Sequence, residues 1–463
     1  MNLIEIEKKV IGEILTSKEI FDNLITLCDE FGSRFAGTES ERKAVEFILN
    51  KFKEYNLDNP HLEEYEYNGW IRGTTELSIT SPVKKKIKAI SLPYCPSTPP
   101  NGIEGEIIDL GHGLPEDFER EKENIPGKIV LVTSFSPPYF KRWIHRVEKY
   151  GRAVEAGAIG FLFMNHYPGL LAPTGSARFN MEAEIPALGI TKEDGEYIKR
   201  LMKKGKVRVR IKTKHTTKRM KSWNIVADIK GTEKPDEIII IGAHFDGHDI
   251  SQGAMDDAAG ACIVMEVART LAKYKGSFKR TIRFICFSAE EIGLIGSHSY
   301  VNQHKDIIKN IKFMLNLDGA GRAARPGVML QGFPEMIPFL KKLTKDMNYP
   351  VPIADRLGMY SDYFPFVLEG IPSGTLAGGK AFKEFASGRG FGHTEADTVD
   401  KLDPRDMQEA SMVVARLIMK LASTEEIPIK HKSKDEIIKL LEKYGYLEIL
   451  RYEKRPDLDI IQV

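Results

Sequence analysis

From residue 223 onward the chain repeats one pattern, short and nearly continuous apolar runs: "NIVADIKG" (224–231), "EIIIIGAH" (237–244), "TIRFICFSA" (281–289) and "IKFMLNLD" (311–318). Runs of this length rich in Ile, Val and Phe predict strands buried on both faces. Helical periodicity fills the intervals, most plainly in "DAAGACIVMEVARTLAKY" (257–274). Buried strands alternating with helices predict an α/β fold, a three-layer sandwich around a largely parallel, mixed sheet. Sheets of that kind bind ligands beyond the carboxyl ends of their strands.

Upstream, residues 1–56 carry helical periodicity interrupted by "FGSRFAGTES" (31–40), where Thr38 or Ser40 can cap the helix "ERKAVEFILNKFKEY". A strand-like stretch follows. Between about 95 and 212 the elements shorten: "GKIVLVTS" (127–134), the helical "RVEKYGRAVEAGA" (146–158), "IGFLFMN" (159–165) and "IPALGIT" (185–191). This predicts a smaller α/β domain at 95–212, inserted between two parts of the main domain, 1–90 and 215–425. An extension, 426–463, holds one amphipathic helix in "KDEIIKLLEKYGY". The basic clusters "VKKKIK" (83–88) and "KTKHTTKRMK" (212–221) read as solvated edges and linkers.

Composition narrows the function. With 67 basic and 65 acidic residues among 463, the net charge of +2 gives no footprint for nucleic acid. No stretch approaches the roughly 20 apolar residues that span a bilayer, so no membrane partner is expected. The start, "MNLIEIEKKVIGEIL", lacks the pattern of a secretory signal. The four cysteines have no metal-ligand or disulfide-framework spacing. A cytoplasmic location is the expectation, with homo-oligomerisation left open.

The chemistry stands just past the apolar strands. His244 ends one run with Asp246 two residues on, Glu290 and Glu291 follow another, and Asp318 follows a third. "GAMDDAAG" (253–260) precedes the long helix, and "GFGHTEADTVDKLD" (390–403) presents His393 in a Gly-rich loop. Two histidines and several carboxylates, without cysteine, suit Zn²⁺, with Co²⁺ or Mn²⁺ as substitutes. Two such ions about 3.5–4 Å apart need a shared carboxylate, a part Asp256 can play. Adjacent side chains at a strand end point to different sides. Glu291 is therefore read as a ligand and Glu290 as the general base. Asp256, Asp257, Glu290 and Glu291 could each merely cap a helix, and Asp318 with Gly319 could form a turn, but five candidate ligands at matching strand ends favour the metal reading.

These stretches also resemble a known family. "GSRFAGTESERKAVEFI", "AHFDGHDISQGAMDDAAG", "SAEEIGLIGS", "NLDGAG", "YSDYFPFVLEGIP" and "GHTEADTVDKL" are similar, in order, to the motifs of the co-catalytic zinc exopeptidases, which include secreted aminopeptidases and glutamate carboxypeptidases. The resemblance implies two zinc ions bridged by Asp256, with His244 and Asp318 completing one site and Glu291 and His393 the other. It gives Glu290 the acid–base role and Asp246 a hydrogen bond that orients the ligand histidine. The inserted unit resembles a protease-associated domain. Some members place a tyrosine before the last histidine; here Gly392 stands there, leaving Tyr360 or the metals to support an oxyanion. The implied function is a peptide-hydrolysing exopeptidase, foremost an aminopeptidase. A carboxypeptidase or dipeptidase is the rival, for which Arg322, Arg325, Arg356, Lys380 and Lys383 could supply the cation. A non-catalytic binding homologue would lack ligands, and a cyclase-like acyl transferase would need only one metal. His112, His145, His166, His248, His298 and His304 are expected to be surface or core residues, with His248 close enough to line the pocket, and Arg34 a structural residue of its turn.

Overall fold

The computed structural model describes residues 2–140, 142–349, 351–379 and 390–458. Each apolar run forms a strand, within Arg208–Ile229, Lys234–His244, Arg280–Phe287 and Ile311–Asn316. Every residue from 238 to 244 is buried. Successive side chains of a strand point to opposite faces, so this burial demands cover on both. The helix Ala259–Ala272 supplies part of one cover and is itself buried almost all round, because the helices Leu3–Thr16, Glu19–Ile25, Glu39–Glu54 and Pro404–Ser423 pack on it. Helices Ile295–Gln303 and Tyr363–Leu368 pack against the strands elsewhere, on Arg208–Ile229 and Ile311–Asn316.

The sheet is mixed with a parallel centre, as the pattern predicted. Lys234–His244 runs parallel to both Arg280–Phe287 and Ile311–Asn316. Ser373–Ala377 continues in parallel, whereas Gly327–Leu330 is antiparallel to Ser373–Ala377 and Arg208–Ile229 is antiparallel to Arg280–Phe287. In register, Phe287 pairs with His244 and Asn316 with Gly242. Three strands thus end at one level, and whatever follows them meets at one edge.

Within the insertion, Ile103–Asp109, Ile129–Thr133, Gly160–Met164 and Ala187–Ile190 form a parallel set. The stretch 212–221 is not the linker expected. It belongs to the 22-residue strand Arg208–Ile229, paired along Asp58–Ser81. Val209, Ile211 and Thr213 are buried while Arg208, Arg210, Lys212 and Lys214 are exposed, so the basic run is one wet face of a two-residue alternation. Ile103–Asp109 pairs antiparallel with the same strand, making the insertion's sheet continuous with the main one. Lys85–Ile87 forms a solvated edge as read. The extension holds a second helix beyond the expected one, Tyr446–Glu453, which packs on Arg146–Glu155 of the insertion. All four cysteines are free and buried.

Candidate metal centre

At the shared edge His244, Asp256 and Asp318 form one donor group, and His248, Glu291 and His393 a second, with ligand atoms in each within 4.8 Å of one another. Asp256 faces both. Its Oδ1 lies 3.5 Å from His244 Nε2 and its Oδ2 lies 3.3 Å from His393 Nε2. His393 Nε2 is also 3.1 Å from Glu291 Oε2. His244, Asp256, Glu291 and His393 are buried, and Asp318 is half-buried.

Each donor is held by neighbours. The main-chain oxygen of Asp246 lies 3.0 Å from His244 Nδ1, nearer than the carboxylate expected there, which is at 3.5 Å. That carboxylate instead accepts the backbone N–H groups of Glu290 and Glu291 at 3.2 and 3.3 Å, tying one strand end to the next. Ser361 Oγ donates to Asp318 Oδ2 at 2.7 Å and accepts from Asn316 Nδ2 at 2.6 Å. Asp257 Oδ1 accepts from the N–H groups of Gly260 and Gly319, both at 3.2 Å, so it braces the Asp318 turn.

The N-terminal segment braces the same loops. Arg34, expected to serve only its own turn, is fully buried and donates to the main-chain oxygens of Leu27, Gly32, Phe245, Gln252 and Gly253. Glu41 accepts from Ser288 Oγ at 2.6 Å, just ahead of the paired glutamates; burial pushes its carboxyl up to about 7.

The inserted domain reaches the centre of its own chain. Thr174 N–H donates to the His393 main-chain oxygen at 2.8 Å, and Ser176 Oγ donates to the Glu291 main-chain oxygen at 2.7 Å. Arg146 donates through Nε to Ser176 O at 2.8 Å and brings Nη1 to 3.4 Å from His393 Nδ1. One cavity is lined by His145, Arg146, Phe179, Glu290, Glu291, Leu294, Tyr360 and His393. A second, walled by Trp143, Phe163, Tyr167 and Gly392, shares Arg146 and His393 with it. Tyr360 donates its hydroxyl to Glu453 at 2.8 Å and stacks on His145 at 4.0 Å. His145 and His166, expected to be core or surface residues, line these cavities.

Electrostatics separate the paired glutamates. Burial drives the Glu290 carboxyl far above its usual range, with His244 opposing and Glu291 and Asp318 adding. Burial acts the same way on Glu291, but His248 and His393 overcome it and hold that carboxyl well below the usual range.

Residues 224–418 match the model for Peptidase family M28, and residues 102–198 match that for the PA domain. Residues 224–418 are thus a peptidase family M28 domain. The chain is 28% identical over 415 residues to Carboxypeptidase Q of Bos taurus, covering 88% of this chain and 86% of that one. It is also 28% identical over 362 residues to Leucine aminopeptidase 2 of Trichophyton equinum, covering 74% and 68%. The solved Peptidase M28 precursor from Shewanella amazonensis SB2B shares its fold at a TM-score of 0.77, with 23% identity over 93% of this chain and 98% of that one. It is a metallo-exopeptidase with an inserted PA domain.

The donor set of this M28 peptidase fits two zinc ions. Donors each about 2.1 Å from one tetrahedral ion lie about 3.4 Å apart. The spacings here, 3.5 Å for His244 to Asp256, 3.3 Å for Asp256 to His393 and 3.1 Å for His393 to Glu291, match that value. His244 Nε2 and Glu291 Oε1 are buried without a hydrogen-bond partner among the described residues, which an ion would relieve. Beyond the residues expected, the structure brings Arg146, Thr174, Ser176 and Ser361 to the centre, and His248, expected only to line the pocket, stands among the donors. His248 and Ser361 lie within the quoted motifs, but nothing in the sequence marks the other three.

Proposed function

We propose that this peptidase removes amino-terminal residues from peptides, with His244, Asp256 and Asp318 holding one zinc ion and Glu291, His393 and the shared Asp256 the other. The observation that supports it is the Asp256 carboxylate, one oxygen turned to each histidine. Two zinc ions held there supply a polarised scissile carbonyl and a water of lowered pKa. Glu290 lines the cavity beside Glu291 and His393, where its carboxylate takes a proton from the attacking water and returns it to the leaving amine. Asp246 and Ser361 keep His244 and Asp318 aimed. The PA domain walls off the cavity through His145, Arg146 and Phe179, which excludes bulk water and favours chain ends over chain interiors. The acidic wall of Asp256, Glu290, Glu291 and Asp318 attracts an α-ammonium, in keeping with the likeness to Leucine aminopeptidase 2.

A second reading, a carboxypeptidase or dipeptidase, rests on two cations at the centre and on the likeness to Carboxypeptidase Q. Arg146 stands beside His393, and Arg322 Nη2 lies 2.9 Å from Asp256 and 3.3 Å from Asp318. Either guanidinium could take a substrate carboxylate. Arg325 is exposed, Arg356 is half-buried, and Lys380 and Lys383 lie outside the described residues. Hydrolysis rates for free, amino-acetylated and carboxyl-amidated dipeptides decide between the readings. Loss of turnover on acetylation alone supports the aminopeptidase, loss on amidation alone the carboxypeptidase, and loss on both the dipeptidase. Glu290→Gln should retain both zinc ions while kcat falls about 100- to 10,000-fold; lost zinc would make Glu290 a ligand instead.

A further inference from the structure

We infer that His248 is a third imidazole ligand of the centre, a donor to the ion at the Glu291–His393 end; the inference rests on the two-zinc reading above. His248 Nε2 lies 2.9 Å from Glu291 Oε2, the same oxygen that His393 Nε2 approaches at 3.1 Å. The two rings are 4.3 Å apart and stand at 80° to each other. These spacings are those of donors converging on one ion, about 3.4 Å apart around a zinc at about 2.1 Å.

Neither ring nitrogen of His248 has a well-formed hydrogen bond among the described residues, although Nε2 stands 2.9 Å from the Glu291 carboxylate. His248 is only 2% exposed. A buried imidazole with two unanswered nitrogens is costly unless something else takes a lone pair.

The backbone aims the ring. Gly247 donates its N–H to Ser33 O at 2.9 Å, and a Cβ at this position would meet Gly253 Cα at 3.0 Å and Ser33 O at 3.1 Å. The chain therefore passes through a tight slot, where a side chain would push its neighbours aside, and emerges with His248 on the Glu291 side. The consequence is asymmetry between the ions. With His248 beside Glu291 and His393, and Asp256 at 3.3 Å from His393, an ion at this end would have one more protein donor within reach than an ion held by His244, Asp318 and Asp256. An ion at the His248 end would therefore be the more tightly held of the two.

The test is NMR of the full chain carrying nitrogen-labelled histidine and two equivalents of NMR-active cadmium in place of zinc. Three histidines should show scalar coupling to cadmium, with two cadmium resonances, and His248→Gln should leave two coupled histidines. Chelator titration should find one equivalent in this variant at least about 100-fold weaker than in the natural protein, beyond the range typical of outer-sphere losses. Two cadmium resonances with only two coupled histidines in the natural protein would overturn the inference while leaving the two-metal reading intact. A single cadmium resonance would sink both. The count in the natural protein does not depend on any variant folding.

Discussion

Replacing Arg34 tests whether the N-terminal turn holds the metal loops. Its guanidinium, fully buried, reaches Leu27 O at 3.0 Å, Phe245 O and Gln252 O at 2.7 Å, and Gly253 O at 3.0 Å, with Gly32 O as a fifth acceptor. Arg34→Met keeps much of the volume and leaves those carbonyls unanswered, at about 1–3 kcal/mol for each buried acceptor. Relief of burying the charge, itself several kcal/mol, offsets part of that sum. A net loss of about 4 kcal/mol is expected. Phe245 adjoins His244, and Gly253 lies three residues before Asp256, so zinc affinity should also fall about 10- to 100-fold, as for an outer-sphere loss. Arg34→Lys offers three donors where five carbonyls need them and should recover only part of the stability. Guanidinium chloride unfolding of the zinc-free proteins reads the first effect, and competition with a chromophoric chelator the second. An Arg34→Met protein within about 1 kcal/mol of the natural one, binding zinc equally well, would refute the reasoning.

Lys149 is fully buried, donates to Thr133 O at 2.8 Å, and is pushed by that burial down to about 7. The unfolded chain, with a lysine near 10.4, binds the extra proton between those values, so this residue's contribution to stability rises with pH across that window and approaches its limit above it. The stability of the natural protein minus that of Lys149→Met, from urea midpoints between about pH 6 and 10, should climb with pH; a flat difference would contradict this. Arg455, buried, donates to Met359 O at 2.8 Å and lies over the rings of Phe179 and Phe364. Arg455→Ala should cost about 2–3 kcal/mol, because the buried Asp457 loses its guanidinium partner and keeps only His298. It should also raise KM, since Phe179 lines the cavity; an unchanged KM would separate the tail from the site. Ser361→Ala removes the hydroxyl that aims Asp318 and should weaken one zinc equivalent about 10- to 100-fold in a chelator titration, leaving the other unaffected.

The candidate donors were legible because a buried parallel sheet advertises itself in sequence. Each of its apolar runs ends abruptly at the edge where polar groups can be tolerated, and His244, Glu290, Glu291 and Asp318 stand just there. The register of neighbouring strands then brings them together without further information. His393 was legible by its motif alone, since no strand leads into it. The strand across 212–221 was misread because alternate lysines on a wet face look like a charge run until the buried Val209, Ile211 and Thr213 are seen on the other side.

Residue order alone determined the α/β class, the insertion and the chemistry of the donors, because periodicity and side-chain type are local properties. Only the tertiary structure decided which groups meet across long separations. It sets Arg34 on carbonyls more than 200 positions away, Thr174 and Arg146 of the insertion against His393, and His248 beside Glu291. Such contacts arise from loop paths and close packing between elements whose separation along the chain leaves no periodic trace. A buried polar group must find its partner wherever the fold happens to place one.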